Sequence, residues 1–319
     1  MDMTSPLILP ADAPGIARAA GLLADGDLVA FATETVYGLG ADARNGRAVA
    51  AIFDAKGRPR FNPLIVHVPD IDAARTYVEW SDAADILART FWPGPLTLVL
   101  PLLPDHGLSP LVTAGLSTLA LRVPAKPSAR ALLKAFGGPV AAPSANPSGR
   151  ISPTTATHVR QGLGDRIAAI LDDGACPVGL ESTIIAFSPA PVLMRAGGLP
   201  AEAIQTALGT ALPRAPHPKS EETVTAPGQL NSHYAPRAPL RTQVTEPNAN
   251  ELLLGFGPMP CDLNLSETGD LQEAAANLFA HLHQLDKLHR PIAVAPIPDT
   301  GLGCAINDRL SRAAAPRAP

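Results

Sequence analysis

An α/β fold in two unequal parts is what this sequence predicts, and three observations carry the prediction. Helical and strand-like apolar patterns alternate through roughly the first two hundred residues. From Pro213 to Pro239 that alternation stops, and proline with polar filler takes over, as in a semi-rigid linker. Strand and helix patterns then resume in the order of a small βαβ unit. Several connections between strand patterns are short, which favours mixed over purely parallel pairing.

Taken in order, Gly15 to Asp25 reads as a helix stopped by Gly26, and Leu28 to Thr33 as a strand. Arg47 to Ala55 reads as a short helix with Ile52 and Phe53 inward, and Leu64 to Val68 as a buried strand. Ser81 offers an N-cap for a helix through Thr90, and Ser128 another for a helix ending at Gly137-Gly138. Leu96 to Leu100, Leu119 to Val123, Ile167 to Leu171, Ser182 to Phe187 and Val192 to Arg195 read as strands, and Pro200 to Leu208 as the helix that closes this part. Beyond the linker come a strand at Leu252 to Gly257, a helix from Asp270 to Leu285, a strand at Ile292 to Ala295 and a helix from Cys304 to Ala314.

Composition narrows the function. The 319-residue chain is 46% hydrophobic, enough for a sizeable core, and its net charge of -4 argues against a general nucleic-acid coat. Aromatics at 4% disfavour a base-stacking platform. Cys176, Cys261 and Cys304 are far apart with no CxxC pair, which disfavours disulfides and a zinc site. Met1-Asp2-Met3-Thr4 lacks a basic signal region, and no apolar run reaches membrane-span length, so a cytoplasmic protein is expected.

Several segments could carry chemistry. Lys56, Arg58 and Arg60 alternate, so an extended backbone would aim all three cations at one face, as suits a triphosphate or a solvated basic loop. No Walker A pattern occurs, and Gly301-Leu-Gly303 reads as a turn into the last helix. Thr33-Glu34-Thr35 followed by Gly38 and Gly40, and the small polar run Ala142 to Ser152, both follow apolar strands and could bring backbone N–H groups and hydroxyls to a ligand. Arg122 lies inside an apolar strand, where a guanidinium must be paired or bind an anion. His233 and Tyr234 sit in the linker.

In order along the chain stand TETVYGLGADA, KGRPRFNPLIVHV, FWPGPLTLVL, LRVP, APSANPSGRISPT, LESTII and LMRAG, spanning roughly residues 12–205, then HYAP in the linker. Together these resemble the YrdC-type family in its long, two-domain form. The resemblance implies a twisted mixed-sheet domain with a large cleft over residues 1–212, a linker over 213–239 and a small Rossmann-like βαβ domain over 240–319. It implies an enzyme, a nucleotidyltransferase that joins L-threonine, bicarbonate and ATP into threonylcarbamoyladenylate and pyrophosphate. Mg2+ would arrive with ATP, with no metal site in the protein itself. Downstream threonylcarbamoyl-transfer machinery would pass the product to tRNA to make t6A.

Carried onto this chain, the resemblance assigns Lys56, Arg58 and Asn62 to the phosphates, with Lys56 and Arg58 catalytic. It assigns Thr118, Ser144, Ser152, Arg195, His233 and Tyr234 to the nucleotide, and Thr35, His67, Arg122 and Ser182 to threonine. The chain departs from the family at Ala32, where proline is usual, and at Pro227 to Ser232, which lacks the usual methionine and basic residues. The competing expectation is a non-catalytic RNA-binding or ribosome-associated module.

Overall fold

The computed structural model describes residues 5–187, 190–216 and 233–316. The Pro227 to Ser232 departure therefore lies outside the described residues. The elements run β1 (Leu7–Pro10), α1 (Ala13–Asp25), β2 (Val29–Phe31), β3 (Gly38–Asp42), α2 (Gly46–Lys56), β4 (Ile65–His67), α3 (Ile71–Arg75), α4 (Asp82–Phe91), β5 (Leu96–Pro101), α5 (Pro110–Thr113), β6 (Thr118–Arg122), α6 (Pro127–Phe136) and β7 (Val140–Ala141). They continue with α7 (Ala156–Leu163), β8 (Ala169–Asp172), β9 (Thr183–Phe187), β10 (Pro191–Arg195) and α8 (Ala201–Leu208). After the linker come β11 (Leu240–Arg241), β12 (Leu252–Gly255), β13 (Leu263–Asn264), α9 (Leu271–Asp286), β14 (Ile292–Val294) and α10 (Leu302–Ala314).

β1 to β10 form one mixed sheet in the order β1-β8-β2-β3-β7-β4-β6-β5-β9-β10. Its register decides where a ligand can sit. His67 pairs with Arg122 and with Val140, and Ile65 with Ala120. Val99 also faces Ala120, and Thr97 pairs with Ile184. Paired residues share a face, so His67, Arg122, Thr97, Val99 and Ile184 lie on the same side as Val140, and Thr118 joins them by alternation. The opposite side, with Val66, Leu98, Leu121 and Ile185, is buried in the main core against α2, α4 and α8. On the ligand side, α1 and α6 cover one half, packing Leu23 and Leu132 on Val29, Phe31 and Val140. The other half carries the small cluster Ile65, Val99, Ala120 and Ile184.

The second sheet, β11-β14-β12-β13, is parallel and packs on α9 and α10. Its core continues into the first domain through Val36, Ile151, Leu180 and Ala196. Among the described residues no helix is long and apolar enough to cross a membrane.

Two local expectations need correction. Lys56 is the last residue of α2, and Gly57 caps that helix at φ 61, so Lys56, Arg58 and Arg60 do not alternate on an extended backbone. Lys56 and Arg58 are buried, whereas Arg60 is exposed. Ser128 does not cap α6. That helix begins at Pro127, whose missing N–H and fixed φ suit a first position, and the Ser128 hydroxyl donates to Asp173 at 2.6 Å.

Candidate active site

The uncovered half of the sheet, the loops beside it and the end of the linker enclose a cavity of about 50 Å³. That is far below the usual size of a small-molecule site, roughly 300–1,000 Å³. His233 and Tyr234 are among the residues that line it, in the place where the family resemblance implies a large cleft.

One end of the site is cationic. Arg58 lines the cavity and donates from Nη2 to Pro63 O at 2.8 Å and from Nε to Asn62 O at 3.3 Å. Burial pulls its pKa down to about 10, and the Arg195 charge adds to this, yet it stays cationic at neutral pH. Lys56 stands behind the small polar loop, with Nζ bonded to Ser144 O at 2.6 Å and Asn146 O at 2.5 Å. Its pKa falls well below the ordinary value, from burial first and then from the Arg58 and Arg166 charges. Ser144 lines the cavity, and Asn62 is buried with no partner for Oδ1 among the described residues. Arg195 also lines it, donating to Ser182 O at 2.9 Å and to Ser182 Oγ at 3.2 Å. Gly197 lets the segment after Arg195 approach, since a Cβ there would lie 2.3 Å from Glu181 O.

The other end centres on Arg122. Its Nη2 forms a buried ion pair with Glu34 Oε1 at 2.5 Å, and Glu34 Oε2 accepts from Ala125 N at 2.8 Å. Arg122, His67 and Ser182 line the cavity. His67 stands edge-on to Phe31, and its Nδ1 is buried without a partner among the described residues. Burial, then the Arg122 charge, pushes its pKa down to about 3, so the ring is neutral. The Ser182 hydroxyl meets Thr97 Oγ1 at 2.7 Å. Thr35 is fully buried against Thr33 Oγ1 at 2.8 Å, and Thr33, not Thr35, lines the cavity. Thr118 sits at the outer end of β6, on the ligand side but outside the cavity lining.

The third wall comes from beyond the first domain. Tyr234 is almost fully buried at φ 62, a costly conformation for an aromatic residue. It stacks on Phe279 of α9, and its hydroxyl has no partner among the described residues. Ala235 N donates to Gly149 O at 2.9 Å, tying the linker to the small polar loop. Ser152 does not line the cavity; its hydroxyl donates to Glu181 Oε1 at 2.5 Å, and Glu181 does line it. The other oxygen, Glu181 Oε2, accepts from Arg309 Nε at 2.7 Å. Burial would raise the Glu181 pKa, but the Arg309 and Arg195 charges outweigh it and hold the carboxyl below its ordinary value.

Arg58, Arg122, Arg195 and Arg309 are thus all buried here, with Lys56 behind the polar loop, against the carboxylates of Glu34 and Glu181 and with Asp308 beside Arg309. Such an excess of enclosed positive charge fits a compact polyanion better than the backbone of a nucleic acid.

The family model described as "Telomere recombination", for the Sua5, YciO and YrdC proteins, matches residues 21–197. A second, "Threonylcarbamoyl-AMP synthase, C-terminal domain", matches residues 199–315. The chain belongs to the two-domain Sua5 branch of the YrdC-type family. The threonylcarbamoyl-AMP synthase of Bacillus subtilis is 41% identical to this Sua5-type chain over 95% of its length and 94% of the relative. That of Pyrococcus abyssi is 39% identical over 92% of each. The crystal structure of P. abyssi Sua5 complexed with L-threonine matches with a TM-score of 0.89 at 38% identity, covering 97% of both chains.

Arg309 was missed by the sequence reading, and Thr33, Glu34 and Glu181, which lie in segments singled out there, were given no role of their own. Arg309 left a signal: it falls on the apolar stripe of α10 beside Ile306, Leu310 and Ala313, where a charge demands a partner.

Proposed function

We propose that this protein is a threonylcarbamoyl-AMP synthase, a nucleotidyltransferase acting in the cytoplasm on L-threonine, bicarbonate and ATP. The observation that carries the proposal is the small cavity with its buried cations at one end and a neutral histidine beside an ion-paired arginine at the other. Arg122 would hold the threonine carboxylate, with His67 and Ser182 offering polar contacts to the rest of the amino acid. Arg58, Lys56 and Asn62 would hold the phosphates, and a triphosphate nearby would favour the charged form of Lys56. Thr118, Ser144, Ser152 and Arg195 would position the adenylate. Thr35 would act from beneath, through Thr33.

The chemistry needs no covalent intermediate on the protein. Bicarbonate takes up a proton and loses water to give CO2, the threonine amine adds to CO2 and releases a proton to give a carbamate, and a carbamate oxygen attacks the α-phosphorus. The P–O bond to the β-phosphate breaks, and pyrophosphate leaves. The protein's part is to orient the reactants, exclude water and neutralise charge on phosphorus and leaving group. Glu34 and Glu181 are each engaged with an arginine, and among the described residues no cluster of three or more His, Cys, Asp or Glu could hold a metal. Mg2+ would enter on the ATP phosphates as part of the substrate. The product would feed the transfer machinery that modifies tRNA.

The test is to incubate the full-length protein with Mg2+-ATP, bicarbonate and labelled threonine. The expected result is a labelled adenylate and pyrophosphate that needs all three reactants. Equal pyrophosphate release without threonine would defeat the assignment.

A further inference from the structure

Arg309 is among the largest fully buried side chains of the protein, yet it belongs to the last helix of the small domain. Each of its three nitrogens donates to another element or to its neighbour. Nε donates to Glu181 Oε2 at 2.7 Å, Nη2 to Ala196 O at 2.9 Å, and Nη1 to Asp308 Oδ2 at 2.7 Å. The plane lies over the Tyr234 ring, 4.9 Å from its centroid, in a desolvated cation–π contact. Glu181 and Tyr234 line the cavity, and Ala196 follows Arg195, which also lines it. One side chain thus fixes three walls of a site that it does not line.

The approach that makes this possible is built into the backbone. Gly179, at φ 74, packs so closely on α9 that a Cβ there would lie 2.3 Å from Ala275 O. The segment carrying Glu181 is therefore seated directly on the small domain.

We infer that Arg309 is a positioning residue of the active site, acting from the small C-terminal domain through Glu181 and Tyr234. The inference rests on the function proposed above. Removing Arg309 would leave Glu181 buried without its partner, free the Ser152 hydroxyl from a fixed carboxylate and release Tyr234 from its cover. The groups facing Glu181 are Arg309 from α10, Arg195 from β10, Ser152 from the polar loop and Tyr234 from the linker, with Asp308 beside Arg309. Burial dominates once Arg309 is gone, so the Glu181 carboxyl would hold its proton to higher pH. Activity that needs the carboxylate would then fail at higher pH on the acid side.

The experiment uses the full-length enzyme, with threonine-dependent pyrophosphate release followed across pH for wild type, Arg309→Lys, Arg309→Met and Arg309→Met/Glu181→Gln. For Arg309→Met we expect kcat to fall about tenfold or more, with the threonine KM within about threefold of wild type. Its acid limb should move to higher pH. Arg309→Lys should recover part of kcat and return the limb toward wild type. The double variant should be folded, slow and without the displaced limb. Wild-type kcat and an unmoved acid limb in folded Arg309→Met would overturn the inference. So would a change confined to thermal stability. Should Arg309→Met fail to fold, wild-type kcat in the double variant overturns it equally. An inactive wild type would instead defeat the functional reading, so the two failures are distinct.

Discussion

Two buried Arg–Glu pairs flank the same cavity and face it in opposite senses. In Arg122–Glu34 the arginine lines the cavity and the glutamate stands behind it. In Arg309–Glu181 the glutamate lines the cavity and the arginine stands behind it, supplied by the other domain. Exposure is similarly low, with side chains at 5% and 8% in the first pair and 0% and 8% in the second. Burial therefore does not distinguish them; orientation does. The first pair presents to the cavity a guanidinium engaged through Nη2 by Glu34 and through Nε by Gly94 O, a group of the kind that binds a ligand carboxylate. The second presents an acceptor that orients a hydroxyl of the protein itself. Since replacing a whole buried ion pair by apolar groups is often neutral for stability, stability alone does not account for two such pairs in one site.

The largest expected effect comes from breaking the first pair. Arg122→Met leaves Glu34 buried and uncompensated, which should cost about 3–5 kcal/mol of stability in a denaturant titration. Arg122→Met/Glu34→Leu should recover much of that stability while still failing to bind threonine. Recovery of both together would mean that Arg122 is only structural.

Next come the cations at the other end. Arg58→Ala and Lys56→Ala should each lower kcat/KM for ATP about ten- to hundredfold, the worth of a charge-assisted hydrogen bond, with an unchanged circular dichroism spectrum. Lys56→Ala should also loosen the Ser144–Asn146 loop, because its ammonium holds two carbonyls there. An ATP response no different from that of exposed Arg60→Ala would remove both residues from the phosphate site.

The smallest effect is a pH dependence at the seam between domains. His158 of α7 and His283 of α9 stack with ring centroids 3.9 Å apart. Burial, then for His158 the neighbouring His283, lowers their pKa values to about 3 and about 4. Both are depressed in the fold, so the unfolded chain binds more protons below its ordinary histidine pKa. Stability should then fall as pH drops from roughly 6.5 toward the folded values. His67, at about 3, adds in the same sense. His158→Gln/His283→Gln should flatten that decline in thermal unfolding followed from pH 7 to about pH 4. A decline as steep as in wild type would place its origin elsewhere.

Much of this fold was legible because apolar periods and caps are local. Ser81 caps α4 as expected, accepting from Ala84 N, and Gly26 ends α1. Gly301 likewise leads into α10 as a turn. β3 was not read as a strand, because Gly38 and Gly40 weaken its pattern. Tertiary packing requires them: a Cβ on Gly40 would come within 3.0 Å of Phe31 and of Val140. The alternation of Lys56, Arg58 and Arg60 misled because it assumed an extended backbone where Gly57 caps a helix.

At the site, Arg122 was legible as a charge needing a partner, but its partner Glu34 lies 88 residues away. Glu181 and Arg309 are 128 residues apart, on different domains. No local pattern reports such pairings. The position of His233 and Tyr234 over the cavity is legible only as an oddity of composition, since what they meet is set by two domains at once.

The most direct test of the account is a calorimetric titration of L-threonine into wild type, Arg122→Met/Glu34→Leu and Arg309→Lys. The account predicts that wild type binds threonine and that the first variant loses affinity at least about tenfold. Arg309→Lys should stay within about threefold of wild type, because that pair serves the other wall. Wild-type affinity in the Arg122 variant, or a loss of threonine binding confined to the Arg309 variant, would contradict it.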